Sequence, residues 1–237
     1  MTETNGSDTG IPIVIGVTGH RDLREQDIKV LWELVSNKLK QLMVQYPNSE
    51  LVMLNSIASG ADTLCARIAL ELGIKLICPL PLPIQEYRKD FSEPDAAIFD
   101  TLLENASVVF LAPNTESLPD RLTRDFHYRQ AGIYVAAHSH VLMALWDGTP
   151  AKPDGSGTAE TVDFMLRGNY ENGHGCFKAA NDGAVIHILT PRQSTKTEVS
   201  IFVHLLENEP GSLRETLRMT DVFNVDAGKG GDSIVNA

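Results

Sequence analysis

A turn rich in small residues, residues 154–160, combines phosphate-binding character with a carboxylate. An amphipathic stretch that is typical of a helix follows it. Backbone N–H groups at the start of a helix lie at the positive end of the helix dipole, which suits a phosphate group. Glu160 adds a carboxylate that a phosphate does not need, so the turn favours a ligand with a further group, such as a ribose. The candidate phosphate contacts are Gly155, Ser156, Gly157 and Thr158.

Two more turns of this kind follow apolar runs nearer the N-terminus. In residues 16–21, glycines permit a ligand to approach the backbone, and polar side chains can donate hydrogen bonds; the candidates are Gly16, Thr18, Gly19, His20 and Arg21. In residues 58–62 the candidates are Ser59, Gly60 and Asp62. One interpretation is structural, with Ser59 capping a helix and Asp62 completing a capping box. In the other, Asp62 accepts a hydrogen bond from a ribose hydroxyl.

Arg129 is a candidate anion-binding residue on a predicted helix. Asp125 lies four residues earlier, so a surface ion pair is one explanation. The alternative is a position close to the sheet, because Arg129 shares a helix face with Ile133 and Ala136. The histidine and cysteine pairs of the chain lack further ligands at zinc-like spacing, so we predict neither a metal site nor a cofactor.

The elements that position these residues alternate between strands and helices. Apolar runs at 11–17, 51–57, 74–78, 107–112, 141–146 and 184–189 are predicted strands, and stretches of helical periodicity separate them. This alternation predicts an α/β fold, a Rossmann-like doubly wound and mainly parallel sheet of about six or seven strands with helices on both faces. Pro79, Pro81 and Pro83 are expected to end the third strand. The small-residue turns then meet at the carboxyl ends of the strands, where such sheets bind ligands.

The domain organisation follows from where this pattern starts and stops. Residues 1–10 are polar and predicted to be disordered, and residues 11–192 form the Rossmann-like domain. Residues 193–225 form an extension with one short helix, for which Ser212 and Glu215 make a capping box. Residues 226–237 have the composition of a linker, which suggests an effector domain C-terminal to this segment.

The composition restricts the class of partner. The formal net charge of −11 disfavours a nucleic-acid partner, because a phosphate polymer is repelled by such a surface. Three widely spaced cysteines indicate a reducing compartment. The chain has no signal-peptide pattern and no apolar run of about 18 residues, so we expect a cytoplasmic protein with no membrane segment.

The order of these motifs resembles the SLOG superfamily of Rossmann-like nucleotide-ligand proteins. Residues 126–130 and 154–160 resemble the two motifs of its LOG-type nucleotide phosphoribohydrolase branch. This match implies that Arg129 and Glu160 are the catalytic residues. It also implies a homodimer and a phosphate-binding turn formed by Gly155, Gly157 and Thr158. Residues 144–148, which contain Asp147, are similar to other SLOG branches that include predicted sensors of nucleotide signals.

The sequence therefore predicts a domain that binds a nucleotide or a nucleotide-derived small molecule. Gly157 and Thr158 are expected to hold a phosphate, Arg21 or Arg129 to neutralise it, and Asp62 and Glu160 to accept from ribose hydroxyls. The alternative is an enzyme that cleaves the N-glycosidic bond of a nucleoside 5′-monophosphate. In that case Glu160 stabilises the oxocarbenium-like transition state or activates water, and Arg129 orients the substrate.

Overall fold

The computed structural model of the protein describes residues 10–114, 123–150, 157–167, 184–194, 203–206 and 220–223. The strands are β1 (Ile13–Gly19), β2 (Leu51–Leu54), β3 (Lys75–Leu80), β4 (Val108–Leu111), β5 (Val141–Trp146), β6 (Ala184–Leu189), β7 (Val203–Leu206) and β8 (Thr220–Phe223). The helices are α1 (Ile28–Gln45), α2 (Ala61–Glu71), α3 (Ile84–Tyr87), α4 (Glu93–Asn105), α5 (Arg124–Ala137) and α6 (Thr158–Arg167).

The described strands form one sheet in the order β4-β3-β2-β1-β5-β6-β7-β8. The strands from β1 to β6 pair in parallel, while β7 and β8 are antiparallel to their neighbours. The strand order reverses at β1, which lies between β2 and β5. The predicted Rossmann-like α/β fold is confirmed, and the crevice outside the carboxyl ends of the paired strands β1 and β5 is the place where such sheets take up ligands.

Apolar side chains cover both faces of the sheet, as the near-continuous apolar strands require. Successive residues of β5 point to opposite faces: Met143 and Leu145 belong to one buried cluster, and Leu142 and Ala144 belong to another. Helices α1, α2 and α4 contribute to the first cluster, and α5 and α6 to the second. The expected placement of helices on both faces is therefore confirmed.

The third strand continues further than the sequence predicts. Pro79 lies within β3 in register with Phe110 of β4, so the expectation that this proline ends the strand is wrong. The physical reason is the length of β2, whose pairing with β3 ends at Ile77. Beyond that point β3 has a strand on one side only, and a proline is tolerated because an edge position needs fewer backbone donors.

The segment after residue 192 adds two strands that the weakening pattern did not predict. Strand β7 pairs with β6 through Val203 and its neighbours, and Val203 is buried against the main cluster. The short helix predicted from Ser212, residues 1–9 and the linker-like residues 226–237 lie outside the described residues. No helix in the described ranges is long and apolar enough to span a bilayer.

Candidate binding cleft

An open cleft of about 550 Å³ lies at the carboxyl ends of β1 and β5. Its size is in the range of small-ligand sites. Segments distant in the sequence meet here because the parallel strands end at the same edge of the sheet. Most of the predicted site residues line it: Thr18, Gly19, His20, Arg21, Asp62, Arg129, Asp147, Gly157, Thr158 and Glu160.

The remaining predicted residues lie elsewhere. Gly155 and Ser156 fall outside the described residues. Gly16, Ser59 and Gly60 are not part of the cleft lining. A Cβ atom at Gly16 would lie 2.3 Å from Ser139 Oγ, so this glycine permits β1 to pack against the end of α5 rather than a ligand to approach.

The turn before α2 does not form the capping box that the sequence suggested. The N-cap is Gly60, without a side-chain capping bond, so Ser59 does not cap the helix. The Asp62 carboxylate instead accepts a hydrogen bond from Ala58 N at 3.3 Å. The capping-box interpretation is therefore wrong, and Asp62 faces the cleft from the first turn of α2.

Gly60 allows this turn to pack closely against the end of β1. Its φ is +81°, and a Cβ atom there would lie 2.5 Å from Arg21 O. We expect Gly60→Ala to reduce the free energy of unfolding by about 3 kcal/mol, because backbone strain and a backbone clash add. Gly73→Ala is the matched control, since its φ is +72° with no atom of the described part of the chain within 4 Å of the added Cβ, and it should cost about 1 kcal/mol. Equal losses in urea unfolding of the two variants would show that the clash is relieved without cost.

Asp62 is a buried carboxyl group that costs stability when ionised. Burial raises its pKa to about 7, although the hydrogen bond from Ala58 and the charge of Arg21 act in the opposite direction. The folded state therefore holds a proton that the unfolded chain has released, and stability falls as the pH rises from the ordinary aspartate pKa to about 7.

The variant Asp62→Asn is expected to be more stable than the wild type above about pH 7, because it removes a buried charge without changing the shape. The gain should shrink as the pH is lowered toward about 4, where both states of the wild type are protonated. Melting temperatures of the wild type and of Asp62→Asn across this pH range test this pH-dependent difference in stability. A variant less stable than the wild type at every pH would mean that the carboxylate is compensated in the folded state.

His20 and Asp147 connect the ends of β1 and β5. His20 Nε2 accepts a hydrogen bond from Asp147 N at 3.0 Å, which requires a neutral ring with its proton on Nδ1. Burial lowers the pKa of His20, in agreement with the neutral form. Asp147 Oδ1, 3.2 Å from the same nitrogen, accepts from Thr149 N. These contacts fix the turn after β5 against β1.

Arg129 and Glu160 form an ion pair across the cleft, between α5 and α6. The Arg129 guanidinium also lies 4.7 Å from the centroid of the Phe164 ring. The partner of Arg129 is therefore on a neighbouring helix, so the alternative of a surface pair with Asp125 is wrong. The second oxygen, Oε2, of Glu160 is buried and accepts no hydrogen bond from the described residues.

Arg21 and Tyr128 form a cation–π pair at the cleft, of which only Arg21 was predicted as a site residue. The Arg21 guanidinium is exposed and lies 5.1 Å from the centroid of the Tyr128 ring. The Tyr128 hydroxyl is held by Asp90. The residues Asp125, Tyr128, Arg129 and Gly132 all line the cleft, at the i, i+3, i+4 and i+7 spacing of one helix face. Extending the prediction from Arg129 along this face could have found Tyr128.

Other cleft residues were not among the predicted site residues. Ser56, Tyr87, Trp146, Thr149 and Arg192 also line it. Arg192 pairs with Asp22 at 3.1 Å. Of the cleft arginines in the described residues, Arg21 is the one without an ion pair. It therefore presents a cation that is free to meet a ligand.

Comparisons with known proteins find solved structures similar to this chain, among them two of DNA processing proteins. DNA processing protein A (DprA) from Streptococcus pneumoniae is 20% identical, with a TM-score of 0.42 over 66% of this chain and 47% of the other. A structure described for the single-stranded DNA binding mode of the Helicobacter pylori protein is 16% identical, with a TM-score of 0.39 over 68% of this chain and 75% of the other. The chain thus spans about half the length of the first. No protein-family model and no curated protein matches it.

These findings correct the expected ligand. Both structures are of DNA processing proteins, and neither supports the LOG-type branch of the resemblance. The expectations of a small nucleotide-like ligand, of the phosphoribohydrolase alternative and of no nucleic-acid partner are therefore wrong. The physical weakness lay in the charge argument. A net charge of −11 is a sum over the whole chain, and it does not set the sign of the field beside the exposed Arg21.

Proposed function

We propose that the cleft binds single-stranded nucleic acid. The observation that carries the proposal is the Arg21–Tyr128 pair, an exposed arginine whose guanidinium carbon lies over an aromatic ring. Unpaired bases stack on aromatic rings and on guanidinium planes, and the same arginine can neutralise a neighbouring phosphate. Bases in a duplex are already stacked on each other, so this platform favours single strands.

The opposite side of the cleft suits the phosphate backbone. Helix α6 begins there, and its first N–H groups have no partner within the helix. A Cβ atom at Gly157 would have no described residue within 4 Å, so among the described residues the space beside this glycine is open. The strand would then lie between the stacking platform on α5 and β1 and the start of α6.

The charge distribution limits the strength of this binding. The other cleft arginines are already paired, Arg129 with Glu160 and Arg192 with Asp22. Few phosphates are therefore neutralised. We expect a dissociation constant of the order of 10 µM at low salt, which rises as the salt concentration is increased.

Fluorescence anisotropy with a labelled single strand of about ten nucleotides tests the proposal, since this length fits known single-strand sites. The expected result is saturable binding at low salt, with weaker binding of the corresponding duplex. A mononucleotide is expected to compete poorly because it lacks the neighbouring phosphates. Equal affinity for duplex and single strand, or no binding up to about 100 µM, would contradict the proposal.

A further inference from the structure

A buried carboxyl group forms part of the cleft wall close to the Arg21–Tyr128 pair. Asp62 is 7% exposed, yet it lines the cleft. Its carboxylate has one hydrogen bond among the described residues, the long one from Ala58 N at 3.3 Å. A buried carboxylate with so little compensation is costly, and its remaining acceptor positions suit a donor from a ligand.

The neighbouring polar groups do not supply that donor. The Asn55 side chain is occupied with Asp62 O and Ile57 N, and the Ser56 hydroxyl donates to Pro79 O. The ionisable groups that interact electrostatically with Asp62 come from each adjoining element: Arg21 after β1, Cys65 on α2, Cys78 on β3 and Tyr87 on α3. None of these donates a described hydrogen bond to the carboxylate.

We propose that Asp62 makes the cleft selective for bases that carry an exocyclic amino group. This inference rests on the proposed binding of single-stranded nucleic acid. A base stacked on Arg21 presents its edge toward the cleft wall, and an ionised carboxylate accepts from the amino group of cytosine or adenine. Uracil and thymine present a carbonyl oxygen at the corresponding position, which a carboxylate repels.

The ionisation of Asp62 predicts that the affinity for an amino-bearing base depends on pH, which is a second property to measure. Its pKa of about 7 in the free protein means that an amino donor must first displace a proton near neutral pH. Affinity for an amino-bearing base should therefore rise with pH until the pH exceeds about 7, and then level off.

The experiment compares oligo-dC with oligo-dU of about ten nucleotides, which differ in the amino and carbonyl groups of the base. The wild type should prefer oligo-dC about tenfold at about pH 8, since a hydrogen bond to a charged group contributes at this level. Asp62→Asn should lose or invert the preference and the pH dependence. Asp95→Asn, the same charge change at a half-buried position of α4 outside the cleft lining, should keep both.

The possible outcomes separate the two proposals. Equal affinity of the wild type for both oligonucleotides overturns the role of Asp62 and leaves the proposed function standing. A preference for oligo-dC that persists in Asp62→Asn also overturns the role of Asp62. Failure of the wild type to bind either oligonucleotide overturns the proposed function and this inference together.

Discussion

Replacing Arg21 with alanine is expected to weaken the binding of a single-stranded oligonucleotide by at least about tenfold. The substitution removes both the guanidinium plane over Tyr128 and the unpaired cation of the cleft. Loss of one base stack costs about 1–3 kcal/mol, and a factor of ten corresponds to about 1.4 kcal/mol. The plot of log affinity against log salt should also become shallower by about 0.7, because one phosphate contact is lost. Fluorescence anisotropy over a range of salt concentrations measures both effects.

Arg67→Ala is the matched control for this variant. The Arg67 guanidinium also stacks on an aromatic ring, 5.2 Å from the centroid of Trp32, but on α2 away from the cleft. Its removal changes the net charge by the same amount and should leave affinity and salt slope unchanged. A further variant, Arg21→Lys, keeps the charge without the plane and should restore the salt slope but not the full affinity. Similar losses in the Arg21 and Arg67 variants would mean that only the global charge matters.

Replacing Asn55 with alanine is expected to reduce the free energy of unfolding by about 3 kcal/mol. Asn55 is fully buried, donates to Asp62 O at 2.8 Å and accepts from Ile57 N at 2.7 Å. The variant leaves Ile57 N buried without its partner, at a cost of about 1–3 kcal/mol, and removes the second hydrogen bond of Asp62 O, which keeps its bond within α2. It also releases Ile57, a non-glycine residue at a φ of +50° that needs its surroundings to hold it there. Urea unfolding gives the free-energy difference.

Asn105→Ala provides the comparison for this prediction. The Asn105 side chain makes a single hydrogen bond to Thr101 O at 2.8 Å and is exposed at the end of α4. Water replaces that bond, so the variant should lie within about 0.5 kcal/mol of the wild type. If Asn55→Ala cost no more than Asn105→Ala, the turn before α2 would not depend on the asparagine.

The sequence was most informative where the hydrophobic periodicity and the turn residues predict the same helices and strands. The alternation of apolar strands with helices predicted the parallel sheet, and the order of the elements placed three distant turns at one edge. Gly73 follows α2 at a φ of +72°, the left-handed conformation that is typical of a glycine after the end of a helix. Such features are local, because a glycine after a helix or an apolar run is defined by its immediate neighbours.

Features that depend on partners distant in the sequence were not predictable in this way. Pro79 remains within β3 because β2 is short, and the residues around Pro79 do not predict where β2 ends. Arg129 pairs with Glu160 rather than Asp125 because α5 packs beside α6. The role of Gly16 likewise depends on Ser139, which the fold brings against β1.

The chemistry of the cleft was also partly hidden by the use of whole-chain sums. The net charge of the whole chain disfavoured a nucleic-acid partner, whereas the cleft places one exposed arginine over a tyrosine ring. Asp62 was singled out as a possible ligand contact, but its burial and the weak compensation of its charge are visible only in the folded chain. The expected homodimer and the effector domain C-terminal to this segment stay predictions.

Hydrogen exchange of the protein with and without a saturating single-stranded oligonucleotide tests the central proposal most directly. We expect slower exchange in the peptides that contain Arg21, Tyr128 and Gly157, which surround the cleft. Exchange along α1, which contributes no residue to the cleft lining, should be unchanged. Protection confined to surfaces outside the cleft, or no protection at a concentration that saturates binding, would contradict the account.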